Sequence, residues 1–137
     1  MAEFTTSIDI EAPPEIVFDH LVTEEGLLAW MGQRAEVDAT PGGIFSLDID
    51  GNPIRGEYVV IDPHHTVVVT WGLLGSDILP AGSSRVEFRL TPVAAGTRLD
   101  LRHTDLPEDQ VAPHAQGWPH FLAAFAAALA PTPGLSV

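Results

Sequence analysis

The chain has 137 residues, with 19 acidic and 6 basic side chains and a formal net charge of −13 at neutral pH. A surface of that sign repels phosphate groups, which argues against nucleic acid and anionic membranes as partners. There is no cysteine, which excludes disulfides, thiolate nucleophiles and cysteine-based metal sites. Hydrophobic residues make up 45% of the sequence, enough for the core of one domain spanning residues 1–137.

The first quarter of the chain predicts a strand followed by two short helices. In residues 4–10, positions expected to face the core alternate with polar positions expected to face solvent. This period of two is typical of a strand with one buried face. Pro13 and Pro14 end this strand and begin a helix whose apolar residues recur at helical spacing up to Val22. Thr23, followed by two glutamates, predicts the cap and first turn of a second helix.

The middle of the chain predicts antiparallel strands joined by tight turns. Alternation returns at Gln33 and continues to Ile49, with a turn at residues 41–43. Further turns at residues 50–53 and 62–65 separate two more strands. In the first of these, Tyr58 is expected to share a face with Ile54 and Val60.

A loop and two more strands follow. Residues 72–83 have no clear period and predict the longest loop, which either rims a site or simply connects two strands. Alternation from Val86 to Leu90 predicts one strand, and Thr97, Leu99, Leu101 and His103 share one face of the next. His103 is therefore expected to point inward with the core leucines.

One apolar helix ends the chain. Apolar residues at spacings of three and four form a single stripe, which predicts this helix. We place its main start between Gly117 and Pro119, because proline suits a first helical turn, and its end before Pro131. Residues 106–116 are expected to be mixed, with room for one or two helical turns before the main helix. Residues 131–137 are expected to form a loose tail. The stripe consists of Trp118, Phe121, Leu122, Phe125 and Leu129.

This order of parts resembles the START-like (SRPBCC) superfamily with the helix-grip fold, shared by pollen allergens and polyketide cyclases. The branch most similar to it is the C-terminal domain of the activator of Hsp90 ATPase. The resemblance covers nearly the whole chain. It rests on Ile10 to Phe18, Leu28-Ala29-Trp30, Pro41-Gly42-Gly43, Gly56-Glu57-Tyr58, Thr70-Trp71, Gly96-Thr97-x-Leu99, and Gly117-Trp118 with Phe121 and Leu122.

The resemblance implies an α+β fold. A curved antiparallel sheet of six or seven strands would wrap around the long C-terminal helix, with two short helices after strand one. A pocket for apolar small molecules would lie between sheet and helix. Members of the superfamily bind lipids, hormones and polyketides, and some catalyse cyclisation or dehydration.

Two side chains are candidates for acid-base chemistry. An inward His103 could hydrogen-bond a ligand or shuttle a proton, or could be satisfied by backbone or water. Tyr58 could orient a polar ligand atom or simply fill the core. The predicted ligand-binding residues are Trp30, Phe45, Tyr58, Trp71, Phe88, Leu101, His103, Trp118 and Phe121.

Other chemistries find little support in the sequence. The serines have no nearby histidine that the sequence could pair with them, and there is no nucleophile elbow. His64 and His65 lack further ligands at metal-binding spacing, and His114 and His120 would not share a helix face. We therefore expect no metal and no cofactor.

Three functions remain open. The first is binding of an apolar or aromatic small molecule, lipid-like or polyketide-like, in the cavity between sheet and helix. The second is a polyketide cyclase or dehydratase that uses acid-base groups in that pocket. The third is a chaperone-associated role through protein contact, which an exposed apolar patch would favour. With no basic apolar leader in the sequence we expect a cytoplasmic protein, and a homodimer is possible.

Overall fold

The computed structural model describes residues 2–130. Within them, seven strands and three helices follow one another in the order that the sequence predicts. The elements are β1 (Ala2–Ile10), α1 (Pro14–Val22), α2 (Glu24–Leu28), β2 (Arg34–Val37), β3 (Ile44–Ile49), β4 (Asn52–Asp62), β5 (Thr66–Trp71), β6 (Ser84–Val93), β7 (Gly96–Leu106) and α3 (Glu108–Leu129).

The described strands form one antiparallel sheet. Its strand order is β1-β7-β6-β5-β4-β3-β2, so consecutive strands pair except where β1 joins the last strand, β7. The sheet curves, and the long helix lies on it. The predicted α+β helix-grip fold, with six or seven strands and two short helices after the first strand, is confirmed.

The paired strands β6 and β7 supply the most regular buried face. Val86 lies opposite His103, and Phe88 lies opposite Leu101. All four side chains are buried, and the residues between them on both strands point outward. The inward direction of His103 follows from this strict period of two, as the sequence predicts.

The two short helices begin where the sequence predicts. Pro14 occupies the first position of α1, where a missing N–H removes no helical hydrogen bond. Thr23 caps α2, because its Oγ1 accepts from the backbone N–H of Gly26 at 3.0 Å.

The C-terminal helix is longer than the sequence predicts. It begins at Glu108, not between Gly117 and Pro119, and it contains Pro113 and Pro119 in its interior. Each of these prolines removes one helical N–H donor, which is unfavourable in isolation. Packing of the predicted stripe against the sheet overrides that local penalty, because Trp118, Leu122 and Phe125 are buried. The predicted tail, residues 131–137, lies outside the described residues.

One predicted strand face is also wrong. Val60 does not share a face with Ile54 and Tyr58, because the register between β4 and β5 shifts between Tyr58 and Val60. Such a bulge inserts one extra residue and reverses the side-chain parity beyond it. Val60 is therefore exposed, whereas Ile54 and Tyr58 are buried.

Candidate ligand-binding site

Four residues form a buried hydrogen-bond network between α3 and the sheet. Trp118 donates its indole Nε1–H to His103 Nδ1 at 3.0 Å. His103 Nε2 lies 2.8 Å from Ser84 Oγ, and the Ser84 hydroxyl donates to the main-chain oxygen of Trp71 at 2.7 Å. This buried network joins the helix to β7, β6 and β5 in turn.

The buried network determines which ring nitrogen of His103 carries the proton. An indole N–H can only donate, so His103 Nδ1 accepts and is unprotonated. The Ser84 hydrogen goes to a carbonyl oxygen, which can only accept. Ser84 Oγ therefore accepts from His103 Nε2–H, and the ring is a neutral Nε2–H tautomer with both nitrogens occupied.

The contact between Ser84 and His103 joins residues that are 19 positions apart, a pairing that the sequence alone does not predict. The direction of the hydrogen bond does not suit nucleophilic catalysis, because the ring donates to the hydroxyl and does not accept its proton. Burial, followed by the neighbouring His114, lowers the pKa of His103 to about 3. A ring with that pKa stays neutral and is a weak base at neutral pH.

The second candidate, Tyr58, is also committed to a structural partner. Its hydroxyl donates to the main-chain oxygen of Leu21 at 2.9 Å, at the end of α1. The last carbonyls of a helix lack helical donors, so this bond satisfies one of them. Burial, and to a smaller extent Glu24, raises the pKa of Tyr58. Its phenol therefore stays protonated.

Several of the predicted ligand-binding residues pack against one another in the core. Trp30 stacks on Phe125 with ring centroids 4.4 Å apart, and its Nε1–H donates to the His20 carbonyl at 3.1 Å. Phe45 lies edge-on to Tyr58, and Phe88 lies edge-on to Trp30. These aromatic rings fill the space beneath the helix.

A pocket of about 300 Å³ lies between the N-terminal half of α3 and the adjoining ends of β3, β4 and β5. Most of its wall is apolar, with polar groups from one asparagine and one histidine. The helix supplies Pro113, His114, Gly117, Trp118 and Phe121, and the sheet side supplies Ile49, Asn52, Ile54, Trp71 and Leu73.

The structure divides the predicted ligand-binding residues into two groups. Trp71, Trp118 and Phe121 come together in the wall of this pocket. The others are buried in the core and do not line it: Trp30, Phe45, Tyr58, Phe88, Leu101 and His103. Strand parity identifies inward residues but does not tell which of them a helix will cover.

Most residues of the pocket wall are not among those that the sequence predicts to bind a ligand. Leu73 comes from the long loop at residues 72–83, which therefore rims this pocket. The loop is held in place because Leu73 N–H donates to the Leu79 oxygen at 2.8 Å, and Leu74 N–H donates to the Pro53 oxygen at 2.9 Å. Two features of the sequence lie at this wall, the irregular loop at residues 72–83 and Gly117 next to Trp118.

His114 presents a hydrogen-bond acceptor on the helix side of the pocket. Its Nδ1 lies 2.7 Å from the Gln110 oxygen, so Nδ1 carries the proton and Nε2 carries the lone pair. The ring lies edge-on to that of His103, with centroids 4.9 Å apart. Burial lowers the pKa of His114, although the bond to Gln110 opposes that effect, so the ring is neutral at pH 7.

Residues 2–130 contain no group of three His, Asp or Glu side chains that could hold a metal ion. His64 instead lies edge-on to Phe18, and His120 lies edge-on to Phe121. In the same part of the chain, none of the helices is both long enough and apolar enough to span a bilayer.

Comparison with known proteins assigns the family. The model for activator of Hsp90 ATPase homolog 1-like proteins matches residues 11–130, which is most of the sequence. The chain belongs to this family. No curated protein matches the chain in sequence.

Solved structures from several bacteria share the fold of this family member. An AHSA1-like protein from Rhizobium etli is 35% identical and has a TM-score of 0.75, over 97% of this chain and 85% of that one. A protein from Mesorhizobium loti is 24% identical, with a TM-score of 0.82 over 93% and 96%. The Aha1 dimer from Colwellia psychrerythraea is 24% identical, with a TM-score of 0.81 over 94% and 96%.

Replacing Tyr58 with phenylalanine tests the structural role of its hydroxyl. The variant keeps the ring but leaves the buried Leu21 oxygen without this donor. We expect the free energy of unfolding to fall by about 1–3 kcal/mol. Urea denaturation of both proteins measures the difference, and equal stability would contradict this role for Tyr58.

Acid should destabilise this family member through His103. Its pKa is about 3 in the folded state and 6.5 ordinarily, so the unfolded chain takes up the proton first as the pH falls. Above pH 6.5 His103 is neutral in both states and does not reduce the free energy of unfolding. Below pH 6.5 that free energy falls steadily until the folded state also takes up the proton, near pH 3. Between pH 7 and pH 5 the loss from this group is about 2 kcal/mol.

Urea denaturation of the natural protein and of His103→Gln at both pH values tests this expectation. Glutamine does not titrate, so the variant should lose about 2 kcal/mol less than the natural protein over the same interval. His114, whose pKa is also lowered, acts in the same direction in both proteins. An identical pH dependence in the two proteins would show that His103 titrates normally.

Proposed function

We propose that this protein binds an apolar or aromatic small molecule in the pocket between α3 and the sheet. The observation that carries the proposal is Gly117, which lies in the interior of α3 and lines the pocket. A Cβ atom built at this position meets no atom within 4 Å, so neighbouring groups do not require glycine there.

The absence of a side chain at Gly117 has a cost. Glycine in the middle of a helix is less favourable than alanine by about 0.5–1 kcal/mol. Neither tight packing nor a positive φ angle offsets this cost, since Gly117 has an ordinary helical φ. The space above Gly117 is therefore best explained by a guest that occupies it.

The pocket wall suits such a guest. Trp71, Trp118 and Phe121 offer flat apolar surfaces, and Asn52 and His114 offer a few polar atoms. Small-molecule sites generally combine a mostly apolar wall with a small number of polar groups that orient the ligand. An uncharged, largely hydrophobic ligand fits this composition.

Binding is a better proposal than cyclisation. His103 and Tyr58 are the candidate acid-base groups, yet neither lines the pocket. Both side chains already donate hydrogen bonds to acceptors within the protein, His103 to Ser84 and Tyr58 to Leu21. The remaining ionisable side chain in the wall is His114, and one neutral imidazole gives no acid and base pair.

Protein contact is the second candidate function, and a specific feature of the surface favours it. Leu74 and Ile78 are 61% and 56% exposed, in the same loop that supplies Leu73 to the pocket wall. Exposed apolar side chains mark protein contacts when they form one contiguous patch, and these two lie only four positions apart in the chain. A homodimer or a chaperone partner would use this loop, and Leu74→Glu would then weaken the assembly without affecting ligand binding.

Filling the pocket at Gly117 tests the proposed function. The neutral fluorescent probe N-phenyl-1-naphthylamine should bind the natural protein and brighten. In Gly117→Leu the new side chain occupies the pocket, so we expect the affinity to fall at least about tenfold, as for a loss of about 1.4 kcal/mol. Fluorescence titration measures the affinity.

Two further variants serve as controls. Ala123→Leu places the same side chain on an exposed face of α3 that does not line the pocket, and it should bind the probe normally. Gly117→Ala should raise the free energy of unfolding by about 0.5–1 kcal/mol. If Gly117→Leu folds and still binds the probe as the natural protein does, the proposed function is wrong.

A further inference from the structure

We propose that the pocket selects neutral apolar or aromatic molecules that carry a hydroxyl group, such as a phenol or an alcohol, and that His114 Nε2 accepts a hydrogen bond from that hydroxyl. The inference rests on the proposed function, because it names the class of ligand that the same pocket takes.

His114 lies on the face of α3 that turns towards the sheet. It stands three, four and seven positions before Gly117, Trp118 and Phe121, and residues at these spacings share one face of a helix. All four residues line the pocket. The His114 side chain is half-buried, and its ring packs edge-on to the buried ring of His103. The imidazole is therefore part of the pocket wall and does not lie on the outer face of the helix.

The two ring nitrogens of His114 have different surroundings. Nδ1 donates to the main-chain oxygen of Gln110, one turn earlier on the same helix, at 2.7 Å. Nε2 belongs to the outer half of the imidazole ring, farther from the main chain than Nδ1, and its lone pair points outward in the ring plane. Because Nδ1 is held against the helix, Nε2 is directed away from it, on the side of α3 where the pocket lies.

A molecule in the pocket can reach this nitrogen. His114 Nε2 has no hydrogen-bond partner among residues 2–130, where the ring bonds only through Nδ1. Within the same residues, the one buried side-chain nitrogen or oxygen that lacks a partner belongs to Trp71. Nε2 of His114 is therefore not a buried atom, and its lone pair is free to accept from a guest. The ring itself is already fixed by Gln110 and His103, so it loses little freedom when a ligand binds.

The protonation of His114 determines which guests it recognises. Burial lowers the pKa of the ring, so at neutral pH it is uncharged and Nε2 can only accept. A guest with a hydroxyl group supplies the hydrogen, whereas a hydrocarbon, ketone or ether of the same shape cannot. The pocket should therefore distinguish two guests that differ only in whether a hydroxyl is present. Discrimination of this kind is typical of sites that hydrogen-bond a substrate hydroxyl.

The composition of the wall restricts the donor to a neutral group. Among the described residues, those that line the pocket include no aspartate, glutamate or arginine, and the sequence has no lysine. An ammonium group could also donate to His114, but it would have no carboxylate beside it in the wall. A carboxylate has no hydrogen to donate and would have no counter-charge. A neutral hydroxyl requires neither.

A pair of isosteric probes tests the inference. In 4-ethylphenol a hydroxyl group stands where 4-ethyltoluene has a methyl group. The affinity of each is measured at neutral pH by displacement of N-phenyl-1-naphthylamine, for the natural protein and three variants. His114→Phe removes the acceptor and keeps a flat ring, whereas His114→Gln supplies an amide oxygen that can accept. His65→Phe makes the first exchange at an exposed turn outside the pocket and is the control.

The informative quantity is the preference for the phenol, defined as the dissociation constant of 4-ethyltoluene divided by that of 4-ethylphenol. We expect this ratio to fall about tenfold in His114→Phe, to fall less in His114→Gln and to stay unchanged in His65→Phe, because only the first loses the acceptor. The natural ratio in His114→Phe would overturn the inference and leave the proposed function standing. If N-phenyl-1-naphthylamine and both probes fail to bind the natural protein, the proposed function fails and the inference fails with it.

A second measurement on the natural protein does not depend on a folded His114→Phe variant. In long-range ¹H–¹⁵N spectra of the histidine rings, the unprotonated Nε2 of His114 should move upfield when 4-ethylphenol binds, as expected for a nitrogen that accepts a hydrogen bond. It should not do so with 4-ethyltoluene. If the two probes shift this nitrogen equally, His114 does not accept from the ligand and the inference is wrong.

Discussion

A buried hydrogen-bond network runs from Trp118 through His103 and Ser84 to the main chain of Trp71 and attaches α3 to the sheet. Each of its bonds has one possible direction, because an indole can only donate and a carbonyl can only accept. The network therefore fixes the tautomer of His103 and, through Trp118, the position of α3 over three strands. A position set by directed bonds in a low-dielectric interior is more specific than one set by apolar packing alone.

The pocket lies beside the point where this network attaches α3 to the sheet. Beneath the helix the aromatic core is closed, with Trp30 stacked on Phe125. Towards the N-terminal half of α3, Gly117 leaves the helix without a side chain, and the wall opens beside Trp71. The network thus leaves both ring nitrogens of His103, the Ser84 hydroxyl and the Trp118 indole N–H with partners inside the protein.

Sequence patterns predicted the fold more fully than the site, and particular residues show why. A period of two places His103 inward, and the stripe from Trp118 to Leu129 identifies the helix face, because both depend on local geometry. The helix start was missed because tertiary packing tolerates Pro113 and Pro119, and the face of Val60 was missed because a bulge leaves no mark in the alternation. Contacts between distant segments, such as Ser84 with His103, arise only from the pairing of strands.

His103 is a neutral structural group in this site, which supports the proposed binding function over acid-base catalysis by this ring. Long-range ¹H–¹⁵N spectra of the histidine rings test it directly, recorded from pH 7 to pH 5. We expect His103 to show one tautomer, protonated at Nε2, whose nitrogen shifts stay constant across this range. A ring that titrates near pH 6.5, or one protonated at Nδ1, would show that His103 is not the neutral member of this network.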